Sequence, residues 1–229
     1  MSDENIIQIT NLTKIYVDGV EIKALDNVNL TIKRGEFMAI VGPSGSGKST
    51  LLNMIGILDT PTSGTITLDG VDTTRASEKK RSKMRNQKLG FIFQYHHLLS
   101  DFNALENVMI PLLINGIKPT NARTKAHKVL EEVGLGERIN HRPKQLSGGQ
   151  NQRVAIARAL ANNPDIVIGD ETTGNLDSKT SEIIYELLRR LNKEHNQTFI
   201  LVTHDERMAE KTERIIRLVD GKITEDRST

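Results

Sequence analysis

The chain has 229 residues, 37% of them hydrophobic, with a formal net charge of +2 and neither tryptophan nor cysteine. It is long enough for one substantial core in a single domain, and too balanced in charge and poor in aromatics for a broad nucleic-acid surface. The missing cysteines exclude disulfides and thiolate metal sites and suit a reducing compartment; no apolar run nears the roughly 20 residues that cross a bilayer, and Met1-Ser2-Asp3-Glu4-Asn5 lacks the basic start and apolar stretch of a leader.

In chain order, alternating stretches at Ile6–Thr10 and Val28–Ile32 predict short strands, part of an antiparallel flank that would hold Tyr16. A continuous apolar strand over Phe37–Val41 follows, then a helix over Thr50–Ile57 and a strand over Thr65–Leu68. Residues 42–49, between the apolar strand and the helix, read Gly-Pro-Ser-Gly-Ser-Gly-Lys-Ser, a complete phosphate-binding loop in the setting that gives this motif its meaning. Gly42, Gly45 and Gly47 let the backbone turn, while Pro43, Ser44 and Ser46 complete a loop whose N–H groups aim at phosphate oxygens. The helix start behind it adds partial positive charge. Lys48 is expected on the β and γ phosphates, the Ser49 hydroxyl on Mg²⁺, and Thr50 on phosphate through the first helical turn.

Lys79, Lys80, Arg81, Lys83, Arg85 and Lys88 form the strongest charge run, which reads as a solvated helix face rather than a lipid or nucleic-acid surface. From about Asn103 to Ala161 the pattern is mainly helical, punctuated by Pro111, Pro119, Pro143 and then Pro164. Near its end Leu146-Ser147-Gly148-Gly149-Gln150 opens a helix over Asn151–Leu160, where Val154, Ala155, Ala157, Arg158 and Leu160 suit partial burial. Two short apolar strands come after, Asp165–Gly169 ending in Asp170-Glu171 and Thr198–Val202 ending in Thr203-His204-Asp205. The helix between them, Ser178–His195, carries Ile183, Ile184, Leu187, Leu188 and Leu191 on one side, a core-packing pattern. Asp170, Glu171 and His204 thus stand at strand C-termini, the edge where open α/β sheets bind ligands, and face the same crevice as the phosphate loop.

Phosphoryl transfer to water needs positioning and charge more than covalent help. Glu171, beside Asp170 at the strand end, can accept a hydrogen bond from a water aligned behind the γ-phosphate. A group to close over that phosphate is still needed, and Ser147 with the Gly148-Gly149 helix start can supply exposed N–H groups. Spacing alone leaves open whether it closes on its own chain's nucleotide or on a neighbour's.

These motifs, in this order, resemble the nucleotide-binding subunits of ABC transporters over essentially the whole chain, with the pentapeptide at 146–150 as that family's signature. The runs Asp101–Val108 and Gly174–Thr180 are most similar to the lipoprotein-release and macrolide-export type. The resemblance implies an α/β fold: a P-loop NTPase core with a mixed, mainly parallel sheet and flanking helices, an antiparallel β flank, and a helical subdomain. Core and flank would span about residues 1–94 and 162–229 of one domain, and the helical part about 95–161. It implies ATP and Mg²⁺ as cofactors, with Tyr16 stacking on adenine, Gln94 touching Mg²⁺ and the attacking water, and Asp170 orienting Mg²⁺ through water. Glu171 would polarise that water and His204 would contact the γ-phosphate. Ser147, Gly148, Gly149 and Gln150 would act on a partner subunit's nucleotide, and Asp177 would lie in the loop that crosses to that partner. Two copies would pair head to tail around two ATP molecules, bound to a membrane permease on the cytoplasmic face. Tyr95, His96, His97, Leu98 and Leu99 would be exposed beside the permease groove.

Alone, a tyrosine, glutamine or histidine at such positions is usually structural, and Asp177 with Ser178 and Lys179 also suits a simple helix start. The His96-His97 pair reads as solvated loop before metal site. Thr172 stands where the family commonly has proline and Gly169 where it has a larger apolar residue, and both are expected to loosen the Glu171 loop. An alternative is a soluble regulatory or repair ATPase of the same superfamily, but the chain has one phosphate loop and no sustained heptads. A small-molecule kinase would leave the pentapeptide unexplained.

Overall fold

A computed structural model describes residues 5–229; Met1–Glu4, on which the argument against a leader rests, lie outside the described residues. The chain opens with a long ribbon, β1 (Asn5–Asp18) and β2 (Val20–Lys33), followed by β3 (Phe37–Val41) and α1 (Lys48–Ile55). Next come β4 (Ser63–Leu68), β5 (Val71–Asp72), α2 (Glu78–Lys88) and β6 (Leu89–Ile92), then the helices α3 (Ala104–Ile114), α4 (Pro119–Glu132) and α5 (Gly148–Leu160). The chain returns through β7 (Ile166–Asp170), α6 (Ser178–His195) and β8 (Thr198–Val202), and ends with α7 (Glu206–Ala209), β9 (Arg214–Val219) and β10 (Lys222–Ser228).

Six strands form the central sheet in the order β10-β9-β3-β8-β7-β6, and four form the flank in the order β2-β1-β4-β5. β3 runs parallel to both β8 and β9, and β6, β7 and β8 are parallel neighbours; β10 alone is antiparallel. The buried central strands alternate their side chains between two faces. Met38, Ile40, Ile166, Ile168, Ile200 and Val202 meet α1 and the flank, in one cluster with Ile7, Leu12, Leu51 and Met54. Phe37, Val167, Phe199 and Leu201 meet α3 to α6, in a second cluster with Val108, Val154, Ile184 and Leu188. Each such fully buried aliphatic contributes on the order of 2 kcal/mol. The Phe37 ring sits edge-on to Tyr185 of α6 at 5.5 Å, fixing that helix against β3.

The structure corrects several expectations. The flank strands run well past Ile6–Thr10 and Val28–Ile32, because the exposed outer half of the ribbon is held by cross-strand pairing (Tyr16↔Ile22, Val17↔Glu21) rather than by a buried face. α1 starts at Lys48, two residues early, and Asp170 belongs to β7, where it pairs with Val202. Pro111 does not punctuate α3 but lies inside it, between the buried Val108 and Leu112, with its carbonyl accepting from Asn162 Nδ2 at 3.0 Å. Tertiary packing there outweighs the lost backbone donor. Ile183 is 41% exposed instead of facing the core of α6. Beside Gln94, Leu98 packs on the core and His96 is half-buried, leaving Tyr95, His97 and Leu99 exposed.

α2 has no buried residue, as a solvated helix should. Half of its cluster is already engaged: Arg81 and Arg85 hold Glu78, and Lys88 bridges Asp69 and Asp165.

Candidate active site

The loop after β3 is shaped by what its glycines cannot carry. Gly42 has φ 151° and a Cβ there would fall 2.1 Å from Leu218 O; Gly47, the left-handed N-cap of α1 at φ 102°, would bring one 2.4 Å from Ala24 O. Both neighbours are backbone, so neither can yield. The loop therefore rests on the β9–β10 turn, and Gly221 N donates to Ser46 O at 2.9 Å. No side chain caps α1, which leaves its first-turn N–H groups to an anion. Lys48 Nζ donates to Gly42 O and Pro43 O, each at 2.8 Å, and so is held over the loop mouth.

Across a cavity of about 610 Å³ stand Asp170, Glu171 and His204, with Gly42, Ser44, Lys48, Ser49 and Thr50 on the near wall. Glu171 is left-handed at φ 49°, an uncommon conformation for a residue with a side chain. Two bonds impose it: Glu171 N donates to Val202 O at 2.9 Å, and Gly174 N donates to Glu171 O at 3.0 Å. The turn swings the carboxylate to His204, whose Nδ1 lies 2.8 Å from Glu171 Oε2. Two acceptors would repel at that distance, so Nδ1 carries the proton.

The cavity's donors suit Mg²⁺. Ser49 and Asp170 offer hard oxygens to such an ion, whose remaining ligands would come from water and phosphate. Burial, then the neighbouring Glu171 charge, push the Asp170 carboxyl up against the pull of Lys48, a repulsion that a divalent cation would relieve.

Not every expected residue lines this cavity. Tyr16 is anchored beside it: its hydroxyl donates to Asp59 Oδ2 at 3.1 Å, Lys14 Nζ sits 4.8 Å from the ring centroid, and burial followed by the Asp59 bond raises the phenol's pKa. Gln94 lies one layer back. Its side-chain amide is so close to Gly174 that a Cβ there would fall 3.0 Å from Nε2, and its backbone carbonyl accepts from Asn175 Nδ2 at 3.1 Å. Gln94 thus contacts the segment that follows Glu171.

Ser147 caps α5 in a reciprocal box, Gln150 N to Ser147 Oγ at 3.3 Å and Ser147 N to Gln150 Oε1 at 2.9 Å. Gly148 and Gly149 keep first-turn N–H groups with no acceptor in their own helix. Ser147, Gly149 and Gln150 line a different cavity, of about 700 Å³, with Arg138, Arg153 and Thr180, and it shares no lining residue with the phosphate-loop cavity. Asp177 caps α6 with both oxygens, on Thr180 N at 3.0 Å and Thr180 Oγ1 at 2.6 Å, and these bonds hold its carboxyl below the usual range.

Sequence reasoning put Arg158 on a partly buried helix but missed what it holds. From α5 its guanidinium donates to His97 O and His96 O, each at 2.6 Å, and both histidines are left-handed, at φ 47° and 49°. One side chain thereby ties the signature helix to the turn just after Gln94. The available signal was a charge amid Ala155, Ile156, Ala157 and Ala159, though its acceptors are carbonyls about sixty positions away.

The sequence profile described as ABC transporter matches residues 25–174. The chain is 51% identical over 219 residues to the lipoprotein-releasing system ATP-binding protein LolD of Legionella pneumophila (strain Paris), covering 95% of this chain and 96% of that one. It is 48% identical over 219 residues to LolD of Colwellia psychrerythraea, covering 95% and 85%. Among solved structures, the dimeric post-hydrolysis state of the ATP-binding cassette MJ0796 bound to ADP and Pi superposes with a TM-score of 0.88 at 47% identity, covering 97% of this chain and 98% of that one. The dimeric structure of MJ0796, a bacterial ABC transporter cassette, matches with the same TM-score and coverage at 48% identity. The chain therefore belongs to the ABC transporter family, and the parts it carries are those of the family's ATP-hydrolysing subunit.

Proposed function

We propose that two copies of this chain pair head to tail around two ATP molecules, each nucleotide held by one copy's phosphate loop and capped by the other's Ser147 helix tip. The observation that carries this reading is the separation of the signature cavity from the phosphate-loop cavity within one chain. The dimeric state of the structural relatives supports it.

In the closed pair Tyr16 stacks on the base, the loop amides and Lys48 hold the phosphates, and Gly148 and Gly149 N–H groups with Ser147 meet the γ-phosphate. Ser49 and Asp170 would hold Mg²⁺, with Gln94 reaching it from behind the Glu171 segment. When bound, the ion neutralises charge on the phosphate oxygens. Glu171 accepts a proton from the attacking water, and His204 holds that carboxylate in place and faces the transferred phosphoryl group. Asp177 starts α6 at the surface that meets the partner.

Cleavage removes the charge that both copies grip, the pair opens, and that motion is available for work on a membrane partner. The partner is an integral permease of the lipoprotein-releasing type, a reading supported by the names of the relatives. Its docking place is the groove of about 480 Å³ between α2, α3 and α5, walled by Phe91, Phe93, His97, Pro111 and Arg158, with exposed Ile114 and nearby Tyr95 at the rim. No helix among the described residues is long and apolar enough to cross a membrane. Bound to such a permease, this subunit sits peripherally on the cytoplasmic face. The helical part between about residues 95 and 161 moves against the rest as the pair closes.

Two measurements test the reading. ATP turnover should rise more than linearly with protein concentration, and strict proportionality at low concentration would count against pairing. A Glu171→Gln form held with ATP should co-purify with an integral membrane protein; recovery only in the soluble fraction would favour a regulatory ATPase instead.

A further inference from the structure

We infer that Thr172 is a positioning residue for Glu171, its methyl seated in a notch that Gly169 leaves open; this rests on the proposed role of Glu171 in hydrolysis. Sequence alone predicts slack at both positions. Gly169 instead has ordinary strand geometry, paired with Ile92 on one side and Leu201 on the other. The left-handed turn at Glu171 folds the chain back so that Thr172 stands over Gly169. A Cβ at Gly169 would fall 2.6 Å from Thr172 Cγ2 and 2.8 Å from Leu201 Cδ2.

The methyl is therefore the half of the Thr172 side chain that packs against Gly169. It touches the strand residue next to Asp170 while its own backbone follows Glu171 directly. The contact thus closes the turn that aims the Glu171 carboxylate at His204. Glycine and threonine each look permissive alone; together they lock, because a side chain at 169 and a methyl at 172 claim the same space.

The test is steady-state ATP turnover by Thr172→Ser, Thr172→Val, Gly169→Ala and the Gly169→Ala/Thr172→Ser double variant, beside Glu171→Gln. Thr172→Ser, which removes only the methyl, should lower kcat about tenfold with KM for ATP within about twofold, since a small misplacement costs rate more than binding. Thr172→Val keeps the methyl and should stay within about twofold of the parent. Gly169→Ala should lose kcat at least as severely as Thr172→Ser, and the double variant should recover most of that loss, because the remaining neighbour, Leu201 Cδ2, is a mobile side-chain end. Full activity in Thr172→Ser, or strictly additive losses in the double variant, would overturn the inference. Undiminished hydrolysis by Glu171→Gln would instead overturn the reading on which it rests.

Discussion

The two walls of the catalytic cavity are built differently. On one, the phosphate loop is made by its own strand and helix, and its shape is enforced by backbone atoms that cannot move: Leu218 O against Gly42 and Ala24 O against Gly47. On the other, Glu171 sits on a strained turn held by single contacts from separate places: Val202 O, His204, the Thr172 methyl, and Gln94 against Gly174. Gln94 in turn precedes the turn that Arg158 ties to the signature helix. In the proposed function, binding is therefore built in, whereas hydrolysis is conditional on parts that a partner copy or a permease would shift.

The largest expected effect separates the two walls. Glu171→Gln should cut turnover about 10²- to 10⁴-fold while ATP affinity stays within a few-fold; a comparable loss of affinity would erase the distinction. Conversely, Gly47→Ala should weaken ATP binding about 100-fold in a nucleotide titration, as a left-handed site with a 2.4 Å backbone clash adds about 3 kcal/mol of strain.

Arg158→Lys sharpens the comparison, because an ammonium cannot span both histidine carbonyls as a guanidinium does. A fall in kcat of about tenfold with unchanged ATP affinity is expected from losing one charge-assisted bond. Smallest is Asp177→Ala, a slight fall in melting temperature at neutral pH. The Asp177 carboxyl is held low by Thr180, so its contribution is present above the ordinary value of about 3.9 and fades as pH drops through its lower folded value. The two melting curves should therefore converge in acid.

Most of the central architecture was legible. Ser178–His195 and Thr198–Val202 match α6 and β8 end for end, since Asp177 gives a cap signal and the strand is apolar without interruption. The phosphate loop was equally plain, because its glycines act locally. What escaped reading depends on partners distant in sequence. The outer ribbon near Tyr16 has no buried face to impose alternation, Pro111 is carried inside α3 by Asn86 and Asn162, and Ile183 turns out toward the signature cavity. Arg158 and the Gly169–Thr172 contact belong to the same class, where the residue is visible and its acceptor or notch is not.

The sharpest test of capping across the pair mixes two defective forms, Glu171→Gln and Ser147→Arg, combined before ATP is added. Neither chain alone has an intact site, yet a mixed pair has one, formed by the phosphate loop and Glu171 of one copy and the Ser147 tip of the other. Equal mixing should restore on the order of a quarter of the parent turnover, because about half the pairs are mixed and each keeps one of its two sites. A mixture no more active than its components would contradict a nucleotide shared between copies.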